Sequence, residues 1–260
     1  MRFLLSCLTT LLLTTSVEAQ DGPFVDWLND FRPRLVQSGA SPQTVNAMLD
    51  GLEPEMAIIE RDRDQPEFVR PLWEYLDIAA SDQRTANGMD AFSENRDTLE
   101  IIEARHAVDA EILVAIWGLE SSYGAITGNN DVVQALATLA WEGRRRSWAE
   151  AQLIAIARML DRGFAYREDL TGSWAGAMGQ TQFIPETYLS RAVDFDGDGR
   201  RDIWHNNGDA LASSANLLAR AGWSLDAPIA LEVTLPDGYD LTNWNPNQSR
   251  LVAEWTAEGI

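Results

Sequence analysis

Glu120 is the residue whose type and setting point most directly to chemistry. It ends the apolar run Ile112-Leu113-Val114-Ala115-Ile116-Trp117-Gly118-Leu119 and is followed by Ser121-Ser122-Tyr123-Gly124. A carboxyl group in apolar surroundings is costly to ionise, so its pKa rises and it can hold a proton near neutral pH, as a general acid must. A glutamate that only caps a helix end or faces solvent would leave the same local trace. The second candidate is Asp194-Phe195-Asp196-Gly197-Asp198-Gly199-Arg200-Arg201-Asp202. Carboxylates at alternate positions aim their oxygens at one centre, and Gly199, sixth in the loop, permits the sharp turn of an EF-hand-like calcium site. Arg200, seventh, would offer its backbone carbonyl. Position 12 holds His205 instead of glutamate, so Asp209 is the candidate for the closing carboxylate. A solvated acidic turn is the alternative, but aspartates converging without a cation repel one another.

Two further groups are candidates for binding. Ser173-Trp174-Ala175-Gly176-Ala177-Met178-Gly179 leads into Gln180-Thr181-Gln182-Phe183. Small residues let a bulky ligand approach the backbone, and Ser173 and Gln182 offer neutral hydrogen bonds suited to sugar hydroxyls or an N-acetyl group. Tight helix packing would call for the same small residues. Arg144-Arg145-Arg146 is the basic cluster of an acidic chain; it could hold a ligand carboxylate by bidentate hydrogen bonds, or be a solvated helix start beside Glu142 and Glu150. His106 and His205 are too few and too dispersed for a zinc site, and neither a Ser/His/Asp constellation nor a Walker-type phosphate loop is present.

The elements that must position these residues are mostly helical. From Phe24 to Ala110 the apolar spacing is helical; Ser41-Pro42 reads as an N-cap followed by a first-turn proline, and Phe68, Leu72, Trp73 and Leu76 form an apolar stripe. Glu111 to Glu120 has no polar face, the pattern of a helix buried all round. Helices are expected over Asp131 to Trp141, Ser147 to Arg162 and Asp209 to Ala221. Ile229 to Leu235 alternates like a strand and ends at the turn Pro236-Asp237-Gly238. The expectation is a mainly α fold with a minor β element near the C-terminus.

The chain of 260 residues is 45% hydrophobic and 23% charged, enough for one large domain or two small ones and unlike a disordered chain. Its formal net charge is −20 and every one of its 20 basic residues is arginine, which argues against a nucleic-acid duplex as partner and against attraction to an anionic membrane. Ten tryptophans spread along the chain suit a core or an aromatic-walled cleft. Met1 to Ala19, with Arg2, an apolar stretch and the ending Val17-Glu18-Ala19, reads as a secretory signal peptide. Cys7 lies too early in that stretch for lipoprotein processing, and it is the one cysteine, so no disulfide or thiolate chemistry follows the leader. The periplasm is the expected location, with no transmembrane helix in the mature chain.

In the order and spacing of three segments the chain resembles the lytic murein transglycosylase B family. They are Trp117-Gly118-Leu119-Glu120-Ser121-Ser122-Tyr123-Gly124, then Ser173 to Gly179 with Gln182-Phe183-Ile184-Pro185, then Val193 to Gly199 with Asp202-Ile203-Trp204. The resemblance implies a lysozyme-like helical catalytic core, placed here at 106–225, after a helical region at 20–105 and before a short segment at 226–260. It implies a peptidoglycan lytic transglycosylase that cleaves the MurNAc-β-1,4-GlcNAc bond to 1,6-anhydro-MurNAc. Glu120 falls on the single catalytic acid/base, Ser173 and Gln182 on cleft positions, and Arg144 and Arg145 on a basic pair at the substrate's peptide side. Asp194, Asp196, Asp198, Arg200 and Asp209 fall on a structural calcium site; no organic cofactor is implied. Glycan strands of peptidoglycan are the implied partner, with cell-wall synthesis complexes beyond them and a monomer as the expected state. A family cleft tyrosine is replaced by Leu217, and an Asn/Tyr-bearing cleft wall that family members carry after the point matching Ile260 is expected to be absent. A hydrolytic muramidase and a non-catalytic murein-binding protein are the alternatives the same motifs allow.

Overall fold

The computed structural model describes residues 22–63, 71–240 and 250–260. The expected leader at Met1 to Ala19 and Phe68 of the apolar stripe lie outside the described residues. Seven helices come first: α1 (Phe24–Gln37), α2 (Pro42–Leu49), α3 (Met56–Arg63), α4 (Leu72–Ala79), α5 (Asp82–Glu94), α6 (Arg96–His106) and α7 (Ala110–Ser121). The strand β1 (Asn130–Asp131), α8 (Val132–Glu142), α9 (Arg146–Asp161) and the strand β2 (Thr171–Gly172) follow, then α10 (Pro185–Arg191), α11 (Asn207–Arg220) and α12 (Val252–Ala257). Among the described residues no helix is long and apolar enough to cross a membrane. The chain forms two compact units, one ending at Trp223 and the other running from Ser224 to Ile260.

Local chemistry sets the helix starts. The Ser41 side chain accepts the Thr44 N–H at 3.1 Å and Pro42 stands in the first turn, so α2 begins where the N-cap pattern places it. Asp131 caps α8 by accepting from Val133 and Gln134 at 2.9 and 3.1 Å, and its other oxygen is held by Arg167 at 2.7 Å. Every residue of α8 except Gln134 is buried, which makes it the central helix of the first unit.

Apolar burial falls into two clusters. One gathers Phe31, Leu35, Met48 and Ile58 of α1 to α3 against Leu136 and Leu139 of α8, Ile156 of α9 and Tyr188 of α10. The other gathers Leu99 and Ile102 of α6 with Leu113 and Trp117 of α7 and Leu211 of α11. The clusters meet along α11, which gives Ala210 to the first and Leu211, Ala212 and Ala215 to the second.

Three expectations are corrected. α7 is not buried all round: Glu111, Ala115, Leu119 and Glu120 are exposed, because this helix lies at the boundary of its cluster and not at its centre. Trp73 and Leu76 of α4 are exposed as well, so their stripe does not face a core. The alternating segment Ile229 to Leu235 is not a strand; its apolar side chains are exposed and among the described residues no second strand pairs with it, and a period-2 pattern without a hydrogen-bonding partner makes no sheet. The β-structure sits earlier, where Asn130 pairs with Gly172 and Asp131 with Thr171 in an antiparallel ladder too short to show a pattern in sequence.

Candidate active site

The turn after α7 presents Glu120. Ser122 and Tyr123 take left-handed backbone conformations, with φ of 51° and 61°, and reverse the chain at once. Ser121 Oγ accepts the Gly124 N–H at 2.8 Å. Tyr123 folds back beneath the helix and donates its hydroxyl to the Arg84 carbonyl at 2.7 Å. A β-carbon at residue 118 would lie 2.6 Å from that ring, which is why glycine stands there. Trp117 donates its indole N–H to Gln180 Oε1 at 2.8 Å. The motif residues around Glu120 are thus tied down by internal contacts. Among the described residues no hydrogen bond or ion pair engages the Glu120 carboxylate itself, and desolvation by its neighbours raises its pKa above the ordinary glutamate value.

Glu120 lies in the wall of a pocket of 250 Å³ at the seam between the two apolar clusters. α7 supplies Ile116 and Glu120, the loop before α10 supplies Thr181, Gln182 and Phe183, and α11 supplies Leu217. Water reaches the carboxylate, yet the walls beside it are mostly apolar, and that combination of access and poor solvation suits an acid/base group. Among the described residues of the first unit no tryptophan lines this pocket. Gln182 holds a left-handed φ of 50°, and its Nε2 pins that conformation by donating to the Thr127 and Gly179 carbonyls at 3.0 and 2.9 Å. Oε1 is then the group Gln182 can offer a ligand. On the other flank of α7 an apolar groove of 720 Å³ runs between that helix, α4 and α5, lined in part by Leu76, Phe92, Ala115 and Leu119. Ala115 and Leu119 precede Ile116 and Glu120 by one residue each, about 100° round the helix, so groove and pocket open on neighbouring faces of α7.

Ser173 stands in the small-residue loop after β2. It does not line the pocket; its Oγ accepts the Ala175 and Ala177 N–H groups at 3.3 and 3.0 Å and so shapes the small-residue loop. The glycines of that loop serve close backbone approach: a β-carbon on Gly172 would lie 2.0 Å from the Ala177 carbonyl oxygen. Arg144 and Arg145 do not line the pocket either. Both bind Asp62 of α3, which is 2% exposed: Arg144 through Nε at 3.0 Å and a short second contact, and Arg145 at 3.1 Å. Glu142 turns to the Arg144 N–H and to Arg63. Glu150 takes both ends of Arg34 and the indole N–H of Trp27. Burial pushes its carboxyl up, but those hydrogen bonds outweigh the push and hold it below the ordinary glutamate value.

The aspartate loop does converge. Oxygens of Asp194, Asp196 and Asp209 lie within 4.8 Å of one another. Asp194 accepts the N–H groups of Gly197, Asp198 and Gly199 at 2.7, 3.1 and 2.9 Å, which wraps the loop around its carboxylate. Asp198 lies outside the cluster of three and accepts the Arg200 N–H at 2.7 Å. The Arg200 side chain reaches out to Asp169 at 2.7 Å and stacks over the Tyr166 ring. Asp209 is wholly buried; burial pushes its carboxyl up to about 6, against the pull of hydrogen bonds from the Phe195 and Asp202 N–H groups and with the added push of Asp196 and Asp194. Three carboxylates, one of them buried, are the all-oxygen ligand chemistry of a hard cation.

Thr181, Gln180 and Asp62 were not picked out by reading the sequence. Thr181 Oγ1 is buried in the pocket wall and has no hydrogen-bond partner among the described residues. The polar trio Gln180-Thr181-Gln182 inside a small-residue segment was the available signal.

Residues 23–260 match the family described as Transglycosylase SLT domain. The membrane-bound lytic murein transglycosylase B of Escherichia coli strain K12 is 33% identical over 159 residues, which is 59% of this chain and 44% of that protein. Crystal structures of SltB3 from Pseudomonas aeruginosa, in complex with NAG-NAM-pentapeptide and with NAG-anhNAM-pentapeptide, superpose with a TM-score of 0.86 at 45% identity, covering 92% of this chain and 64% of that one. The Escherichia coli lytic transglycosylase Slt35 in complex with calcium gives a TM-score of 0.71 at 28% identity, covering 83% of this chain and 70% of its own. The chain therefore spans less than half the length of the Escherichia coli membrane-bound relative and about two thirds of the SltB3 chain.

Proposed function

The chain belongs to the transglycosylase SLT domain family, and from that membership and the setting of Glu120 we propose that it is a lytic murein transglycosylase acting on peptidoglycan glycan strands. The observation that carries the reading is an accessible carboxyl group, unpartnered among the described residues and raised in pKa by desolvation, in the wall of a 250 Å³ pocket. Glu120 begins protonated. It donates its proton to the glycosidic oxygen between MurNAc and GlcNAc; the C1–O bond breaks and positive charge develops at C1. Among the described residues no second carboxylate lines the pocket to meet that charge. The MurNAc acetamido oxygen meets it instead, forming a bond to C1. Glu120, now ionised, takes the proton of the 6-hydroxyl; that oxygen bonds to C1, the acetamido oxygen leaves, and 1,6-anhydro-MurNAc results. Holding nucleophile and electrophile in one sugar supplies the proximity that a hydrolase must obtain by positioning a water.

In this reading Gln182 Oε1 and the apolar walls around Phe183 and Leu217 orient the sugar, and the groove along α7 takes its neighbours on the strand. Ser173 acts by shaping the loop, and Arg144 and Arg145 by anchoring α3. The loop cation is proposed to be calcium, held by Asp194, Asp196 and Asp209 with Asp198 and the Arg200 carbonyl; when bound it neutralises the acidic loop. Periplasmic delivery by the leader at Met1 to Ala19 belongs with the same reading. The test is release of muropeptides from purified murein. Wild type is expected to release them, and Glu120→Gln to bind sacculi without release; a Glu120→Gln protein that still digests murein overturns the assignment.

A further inference from the structure

Gln180 sits between the aspartate loop and α7. It is 3% exposed, and its Oε1 accepts the Trp117 indole N–H at 2.8 Å. Its Nε2 donates to the Trp204 carbonyl at 3.2 Å and to Asn207 Oδ1 at 3.1 Å, and its backbone N–H donates to the Ile203 carbonyl at 2.8 Å. From there the hydrogen bonds run on into the loop: the Trp204 N–H to Asp202 Oδ1 at 3.1 Å, and the Asp202 N–H to Asp209 Oδ2 at 2.6 Å. Asn206, next to Asn207, donates to Asp196 Oδ2 at 2.8 Å. A run of hydrogen bonds therefore joins Asp209 to Trp117, and the peptide bond between Asn206 and Asn207 brings Asp196 to the same run. Trp117 stands three residues before Glu120, one turn back along α7.

The residue type is dictated by its partners. An indole N–H only donates and a carbonyl only accepts, so the side chain between them must accept at one end and donate at the other. Among side chains of this length glutamine alone does both; glutamate lacks the donor, and methionine lacks the donor and a strong acceptor. The space is closed on the helix side too, since a β-carbon on Gly124 would lie 2.6 Å from Gln180 Oε1. With the reading of Glu120 as acid/base as its premise, we infer that Gln180 is a positioning residue through which the aspartate loop fixes the helix that carries Glu120, so that cation binding in the loop and glycan binding beside Glu120 are coupled.

Coupling of this kind is reciprocal, and its usual size is roughly 5- to 150-fold in affinity. The experiment is calcium titration of the full chain by calorimetry, with and without saturating NAG-NAM-pentapeptide. In the wild type the peptide should tighten calcium binding at least about fivefold. Gln180→Met cuts the connection at both ends and Trp117→Phe at the helix end alone; in each, calcium should bind equally with and without the peptide. A residue that only held the fold together would change the melting temperature without abolishing this difference. If Gln180→Met does not fold, Trp117→Phe and the wild-type titration still decide. Coupling that survives in either variant overturns the inference, as does a wild type that binds both ligands with no effect of one on the other. Muropeptide release is measured alongside. A wild type that shows coupling but releases nothing keeps the inference and loses the lytic reading; release without coupling does the reverse.

Discussion

Replacing Asp62 with alanine separates two accounts of the arginine cluster. In the sequence, Arg144 and Arg145 have the look of a ligand-binding pair; in the fold they close on a carboxylate that is 2% exposed and comes from a helix 82 residues earlier in the chain. Removing one member of a buried ion pair costs about 3–5 kcal/mol, because the remaining charge is left without its partner. Here the remaining charges keep much of their water, the side chains of Arg144 and Arg145 being 48% and 32% exposed. The cost should therefore fall below that range, at about 2–3 kcal/mol. For a unit of this size each kcal/mol moves the melting temperature by roughly 2–4 °C, so Asp62→Ala should melt about 4–12 °C below the wild type. The assay is calorimetric melting at neutral pH with Arg144→Ala in parallel, and turnover of murein with and without its stem peptides. Arg144→Ala should lose stability and should not discriminate between the two substrates. An Asp62→Ala melt within about 1 °C of wild type, a shift smaller than 1 kcal/mol would give, refutes the anchoring role. Selective loss of stem-peptide murein by a fully stable Arg144→Ala would restore the ligand-binding one.

Thr181→Val should raise the melting temperature: the buried hydroxyl has no partner among the described residues, such a group costs about 1–3 kcal/mol, and valine keeps its shape, so a gain of roughly 2–12 °C is expected and a loss would show that the hydroxyl is bonded in the folded protein. Calcium at a hundredfold excess over its Kd should stabilise the first unit by about 2.7 kcal/mol, and a chelator should take that away; an unchanged melt in chelator counts against the site. Glu120 should cost stability where it is ionised. Its folded pKa is raised, so the folded state binds more protons than the unfolded one between the two pKa values, and stability falls as pH rises through that interval. Glu120→Gln should accordingly be more stable than wild type at neutral pH, with the two melts converging below the ordinary glutamate pKa of about 4.3; a wild type that is the more stable at neutral pH contradicts the desolvation.

What the sequence reveals of this molecule is what neighbouring residues determine. The Ser41 cap and the wrapping of the loop around Asp194 involve contacts within a few residues, and both are legible in order and spacing. Contacts between distant segments are not. Asp62 gives no hint of Arg144, nor Trp117 of Gln180, because the pairing is set by how helices pack and not by periodicity. α7 is the instructive case. Its composition matches a buried helix, yet one side is exposed at the groove and pocket, and only the positions of α4, α5 and α11 decide which side that is. The same holds for Ser173, whose hydroxyl suits a sugar but is turned to the N–H groups of its own loop. The apolar alternation of Ile229 to Leu235 is real as a pattern and makes no sheet, since a strand needs a partner that the pattern itself cannot supply.

In the proposed reaction one carboxyl group, that of Glu120, carries both proton transfers, and the sugar's own 6-hydroxyl is the second nucleophile. Mass analysis of the muropeptides released from purified murein tests it most directly. The account predicts products ending in 1,6-anhydro-MurNAc, each one water lighter than its hydrolytic counterpart, from the wild type and none from Glu120→Gln. Products that carry the added water and a reducing MurNAc end would contradict it, because a positioned water, and not the 6-hydroxyl, would then have attacked C1.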